Sequence, residues 1–159
     1  MKIDKFHVIL ATGLTNMAAD APHVAVMLAR TEASLGHAPE TFTADNGYYS
    51  EANVLAGLAA GVQPYFALGR ERRTWPPSAE SAGAPPDDTA KNWMAWHLKT
   101  KGGKERMRLR KCKVELVFGC IKEAMKFRQF LLRGIQKVRA EWNLVCTAYN
   151  LRKLHAAMG

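Results

Sequence analysis

Three short runs rich in β-favouring residues, separated by stretches with helical punctuation, constrain the fold more than any other feature of this chain. Phe6 to Leu10, Thr41 to Ala44 and Val62 to Leu68 read as strands. Between the first two, Ala21-Pro22 opens a helix that runs to about Ser34, with Val24, Met27 and Leu28 on its apolar side, and Gly36 stops it. Asn46-Gly47 reads as a sharp turn, and Ser50 as the N-cap of a small helix through Ala60 that Gly61 ends. Alternating strands and helices make the class α/β. At 159 residues and 48% hydrophobic, the chain can bury one ordinary core, so a single domain over 1–159 is expected.

Composition changes over about 70–103. Pro76-Pro77, Pro85-Pro86, the acidic pair Asp87-Asp88 and several Ser, Gly and Ala predict an irregular insertion or loop there. Trp75, Trp93 and Trp96 lie in or beside it, and pinning the loop to the core is favoured over stacking on unpaired bases. The last third is helical. Met107, Val114, Phe118, Ile121 and Met125 recur at helical spacing as a buried face, with Arg108, Lys111, Glu115 and Lys122 near the opposite side. Gly119 leaves room there for a close backbone approach. A second helix, from about Gly134 to His155, repeats the pattern with Ile135, Val138, Trp142, Val145 and Tyr149 and should pack against the sheet.

The formal charge is +9, and the excess is local: Lys101, Lys104, Arg106, Arg108, Arg110, Lys111 and Lys113 fall in one short stretch. So many cations repel unless an anion binds, which points to nucleic acid rather than to a merely solvated face. Cys112, Cys120 and Cys146 are an odd count with no Cys-x-x-Cys pair, so neither a zinc site nor a disulfide framework is implied. No stretch approaches the roughly 20 apolar residues of a membrane span, and a cytoplasmic location without membrane partners is the expectation.

Two acids seventy positions apart carry the chemistry: Asp45, at the end of a strand, and Glu115, inside the basic helix. Divalent metal needs hard oxygen ligands, while a polyanionic substrate needs cations beside them, so both residue types should converge on a phosphodiester-processing site. Each acid also has an ordinary reading. Asp45 could organise the Asn46-Gly47 turn, and Glu115 could pair with Lys111 one helical turn back. Asp4, Asp20 and Glu51 are further acids by count; Asp20 reads as a helix cap, and Glu51 follows the Ser50 cap.

The sequence resembles bacterial insertion-sequence DDE transposases, in the C-terminal part of their catalytic domain. The likeness rests on Thr-Ala-Asp45-Asn-Gly-Tyr-Tyr-Ser-Glu, on Val-Glu115-Leu-Val-Phe-Gly-Cys-Ile-Lys122, on Phe127-Arg-Gln-Phe-Leu-Leu-Arg-Gly134 and on the run Asn143 to Leu154. It implies an RNase H-like mixed sheet flanked by helices, with Asp45 and Glu115 as catalytic, metal-binding acids and Mg²⁺ or Mn²⁺ as cofactor. It implies metal-dependent DNA cleavage and strand transfer at insertion-sequence ends, with double-stranded DNA as partner and a homodimer as working form. Lys122 is similar to the family's DNA-contacting lysine, and Arg108, Arg110 and Lys111 join it as expected DNA contacts.

Many relatives carry a Tyr and an Arg seven and four residues before the catalytic Glu, where this sequence has Arg108 and Lys111. The family's first acid lies on an earlier strand, and the chain enters at what looks like the second or third. The expectation is therefore a domain truncated at its N-terminus and lacking the first catalytic Asp. The alternative is a catalytically inactive basic remnant that grips DNA.

Overall fold

The computed structural model describes residues 7–69 and 89–158, and it is a mixed α/β arrangement dominated by helices. Helix α1 spans His23–Leu35. Strand β1, Thr41–Ala44, and strand β2, Gln63–Phe66, pair in parallel with Phe42 opposite Pro64, and helix α2, Glu51–Ala59, makes the crossover. Helices α3 (Ala90–Lys99), α4 (Lys101–Gly119) and α5 (Ile135–Met158) follow, with a π-helical turn, Cys120–Ala124, extending α4.

Local chemistry explains most of these boundaries. Ser50 accepts from the Asn53 amide as the cap of α2, as its sequence position predicts. Gly36 adopts φ 75° and returns its N–H to Glu32 O, a left-handed stop that other residues rarely adopt without strain. Between α3 and α4, Thr100 caps the new helix by accepting from Gly103 N while its hydroxyl donates to His97 O. A β-carbon at Gly103 would run into His97 O and the Leu98 backbone, so this corner needs glycine for space.

Four expectations change. First, Phe6 to Leu10 is not a strand over its described part: the backbone of Ile9 pairs with a side chain instead, since Ile9 N donates to Asn150 Oδ1 and Asn150 Nδ2 donates to Ile9 O, both at 2.8 Å. An amide side chain supplies the donor and acceptor that a neighbouring strand would. Among the described residues the sheet has two strands rather than the expected mixed sheet. Second, the irregular stretch expected at about 70–103 is helical from Ala90 onward; Trp75 and the Pro-Pro pairs lie outside the described residues, as does Asp4. Trp93 lies in α3, packs on the core and stacks on His97 at 4.7 Å, a pin within a helix rather than under a loop.

Third, the buried stripe of α4 is set a little differently. Val117 is buried, while Phe118 is 42% exposed and stacks on Trp142. A side chain at Gly119 would meet open space, so no backbone approaches there among the described residues. Fourth, α5 packs not on the sheet but on the end of α4: Cys146 and Tyr149 join Ile9, Val117 and Ile121 in one cluster. A second cluster joins α1, the sheet, α2 and α3 through Val24, Ala44, Val54, Phe66 and Met94. Phe66 and Met94 are fully buried, each contributing about 1.5–3 kcal/mol. Helix α4 lines one side of the space between the clusters.

Candidate active site

Asp45 leaves the C-terminal end of β1 in extended backbone (φ −74°, ψ 168°), where α/β units place ligands. Its carbonyl accepts from Tyr48 N at 3.1 Å, closing a 3₁₀ turn over Asn46–Tyr48, but its carboxylate makes no cap bond. The turn is held by other side chains. Asn46 Oδ1 accepts from Gly69 N at 3.0 Å, and Asn53 Nδ2 donates to both Tyr48 O and Ala21 O at 2.9 Å. Asn53 thereby ties the chain ahead of α1 to the chain behind Asp45.

The carboxylate, 66% exposed, meets Arg110: Nη1 lies 2.8 Å from Asp45 Oδ1. The Arg110 side chain is 13% exposed, and its Nε is buried with no hydrogen-bond partner among the described residues. Arg110 is thus aimed at Asp45 from the core side of α4 rather than presented to solvent as a free DNA contact. Its position in the sequence carries the signal that was missed. Met107, Arg110, Val114, Val117 and Ile121 share one helical stripe, and a cation inside an apolar stripe calls for an acid on the facing element.

A cavity of about 550 Å³ opens at this pair, with Asp20, Asp45, Tyr48, Arg30, Arg110 and Arg139 among its polar lining. Asp20 does not cap α1 with its side chain as expected: its carbonyl accepts from His23 N, and no side chain caps that helix. Its carboxylate lies over the Asp45 turn instead, where a β-carbon at Gly47 would sit 2.7 Å from Oδ2. Burial first, then the negative charges of Asp20 and Asp45, holds the Tyr48 hydroxyl above its ordinary 10.0.

Glu115 is exposed on α4 and is not part of the cavity lining. It follows Arg110 by five residues, about 140° around the helix, so a stripe that points Arg110 at Asp45 turns Glu115 away. Arg108, Glu115 and Lys122 are all exposed at seven-residue spacing, with Lys122 in the π-helical turn; the Lys111 side chain lies outside what is described. Among the described residues no three His, Cys, Asp or Glu side chains gather as a metal-binding group, no helix is long and apolar enough to cross a membrane, and all three cysteines are free.

Residues 84–155 match the family model described as the transposase DDE domain. The matched span includes Glu115, Lys122 and nearly all of α5, and it ends short of Asp45 on the N-terminal side. No curated protein and no solved structure matches the chain.

Proposed function

We propose that the chain serves DNA transposition, binding insertion-sequence ends and taking part in their metal-dependent cleavage and strand transfer. The observation that carries the reading is the DDE-domain match over 84–155, a span that contains the Val114 to Lys122 block. The strongly basic α4, from which that block continues, supplies the cations a DNA backbone requires. The RNase H-like expectation is compatible with a parallel β-α-β unit that delivers Asp45 beside α4.

The residues at the cavity fit a hard divalent cation in kind. Asp45 and Asp20 offer oxygen donors, so Asp45 would hold Mg²⁺ or Mn²⁺, whereas Glu115, the second acid that the family resemblance implies, does not line this cavity. Such an ion, when bound, lowers the pKa of water or of a 3′-hydroxyl and polarises the phosphodiester. The chain's own residues do the rest. Arg110 fixes one oxygen of Asp45, Asn53 and Asn46 fix the turn behind it, and Arg108 and Lys122 present charge to the DNA backbone on the solvent side of α4.

The test is Mn²⁺-dependent nicking of a duplex. Glu115→Gln and Asp45→Asn are each expected to abolish nicking while retaining salt-sensitive binding; equal nicking by wild type and both variants would overturn the assignment. A second reading, DNA binding without cleavage, is favoured by one observation: Asp45 is already matched by Arg110, and Glu115 faces away from it. Wild-type binding with no nicking in Mg²⁺ or Mn²⁺ would select that reading.

A further inference from the structure

We propose that the groove between α1 and α5, rimmed by Arg30 and Arg139, is a second contact for the DNA phosphate backbone; this rests on the DNA-processing reading above. The groove, about 370 Å³, shares Ala11, Thr12, Arg30 and Arg139 with the cavity at Asp45, so one continuous channel runs from the acid to the two arginines. Neither arginine belongs to the Val114 to Lys122 block or to the basic stretch of α4. They come from helices more than a hundred residues apart in sequence and meet only in the fold.

The floor of the groove is stitched to both walls. Ser34 Oγ donates to Leu10 O at 2.9 Å and Arg30 Nη1 donates to Thr12 O at 2.6 Å from α1; Thr12 Oγ1 donates to Asn143 Oδ1 at 2.7 Å on α5. The width is therefore fixed before a ligand arrives, which reduces the ordering a bound strand must impose.

Charge decides the class of ligand. Arg30 and Arg139 are exposed, and neither forms a salt bridge with a carboxylate among the described residues. Arg30 uses one donor of its fork on a neutral carbonyl and keeps the others, and two unmatched guanidinium groups suit phosphate oxygens. Of the acids lining the adjoining cavity, Asp45 is matched by Arg110 and Asp20 lies over the turn at Gly47, at the far end from the groove. An open channel with a cation on each wall fits a polymer backbone better than a small anion, which would be enclosed.

The experiment is fluorescence anisotropy of a labelled duplex against salt for wild type, Arg139→Gln and Arg30→Gln/Arg139→Gln. Each phosphate contact contributes about 0.9 to the slope of log affinity against log salt, so the slope should fall by about 0.9 and then about 1.8. The Arg139 side chain makes no hydrogen bond or ion pair among the described residues, so its variant should melt like wild type and keeps the test open if the double variant does not fold. Unchanged slopes with intact wild-type binding would overturn the groove alone. Absence of wild-type DNA binding would overturn the proposed function and the groove with it.

Discussion

Arg110 and Asp45 share one short ion pair, but they do not share its environment: the guanidinium side chain is 13% exposed and the carboxylate 66%. The dependence is therefore one-sided. Removing the carboxylate strands a nearly buried cation, whereas removing the cation leaves an acid that water can solvate. Asp45→Ala should cost about 1–2 kcal/mol in urea unfolding, less than the roughly 3–5 kcal/mol of a fully buried pair because Asp45 faces water. Asp45→Asn should cost less, since an amide oxygen still accepts. Equal stability of Asp45→Ala and wild type would mean that the pair does not hold Arg110.

The same contact sets the cation affinity of Asp45. A guanidinium on Oδ1 cancels much of the carboxylate's pull and repels a divalent ion beside it. Arg110→Gln should therefore bind Mn²⁺ about tenfold more tightly, corresponding to about 1.4 kcal/mol, read from the free-Mn²⁺ paramagnetic resonance signal. Weaker binding in the variant would show instead that Arg110 orients the carboxylate for metal, as neighbours of metal ligands commonly do.

Asn53 has no chemistry of its own in the proposed reaction, yet its amide joins Ala21 O and Tyr48 O across the turn that carries Asp45. Asn53→Ala leaves two carbonyls without this donor at a partly buried position, and a loss of about 1–3 kcal/mol is expected. The more specific readout is amide exchange. Tyr48 N and Tyr49 N, which close the turn onto Asp45 O and Asn46 O, should exchange faster than amides of α5, whose protection should follow only the global stability.

Much of the fold around Asp45 is legible in the sequence because it is local. The Ser50 cap, the backbone closure of the turn after Asp45 and the glycine stop at Gly36 are each decided within four residues. What is not legible depends on distant partners. Ile9 looks like a strand residue, and its backbone is indeed paired, but by the side chain of Asn150, 141 positions away. The helix at Ala90–Lys99 is masked by the Pro-rich composition before it, although Thr89 caps it by accepting from Asn92 N. Asp45 itself is identified from its place after a strand, whereas its partner Arg110 and the groove arginines need a three-dimensional arrangement to be seen. Lys122 and Arg108 are exposed as expected.

The α3–α4 corner should be far less tolerant of substitution than a helix–helix connection usually is. Gly103 is buried, and a methyl group there meets the backbone of His97 and Leu98, which cannot swing aside as a flexible side chain would. Gly103→Ala should unfold the protein at lower urea by about 3 kcal/mol or more, whereas Gly102→Ala, with open space at its β-carbon, should be neutral or slightly stabilising. Similar midpoints for the two variants would show that the corner relaxes.

His97 makes that same corner sensitive to acid. Its ring stacks on Tyr65 at 4.5 Å and on Trp93 at 4.7 Å, and its Nε2 accepts from Gln63 Nε2 at 3.0 Å, a bond that requires Nε2 to be unprotonated. Burial lowers its pKa from the ordinary 6.5, so the folded state favours the neutral ring more than the unfolded chain does. The sign follows from proton uptake: below about pH 6.5 the unfolded state binds the proton first, so stability is full above that value and declines as pH falls toward the lower folded pKa. His97→Gln should remove this component of the decline while leaving the loss from carboxylate protonation at lower pH. Urea midpoints at pH 7.5 and pH 5 test it: the drop between them should be smaller in the variant, and an equal drop would assign the acid sensitivity to other groups.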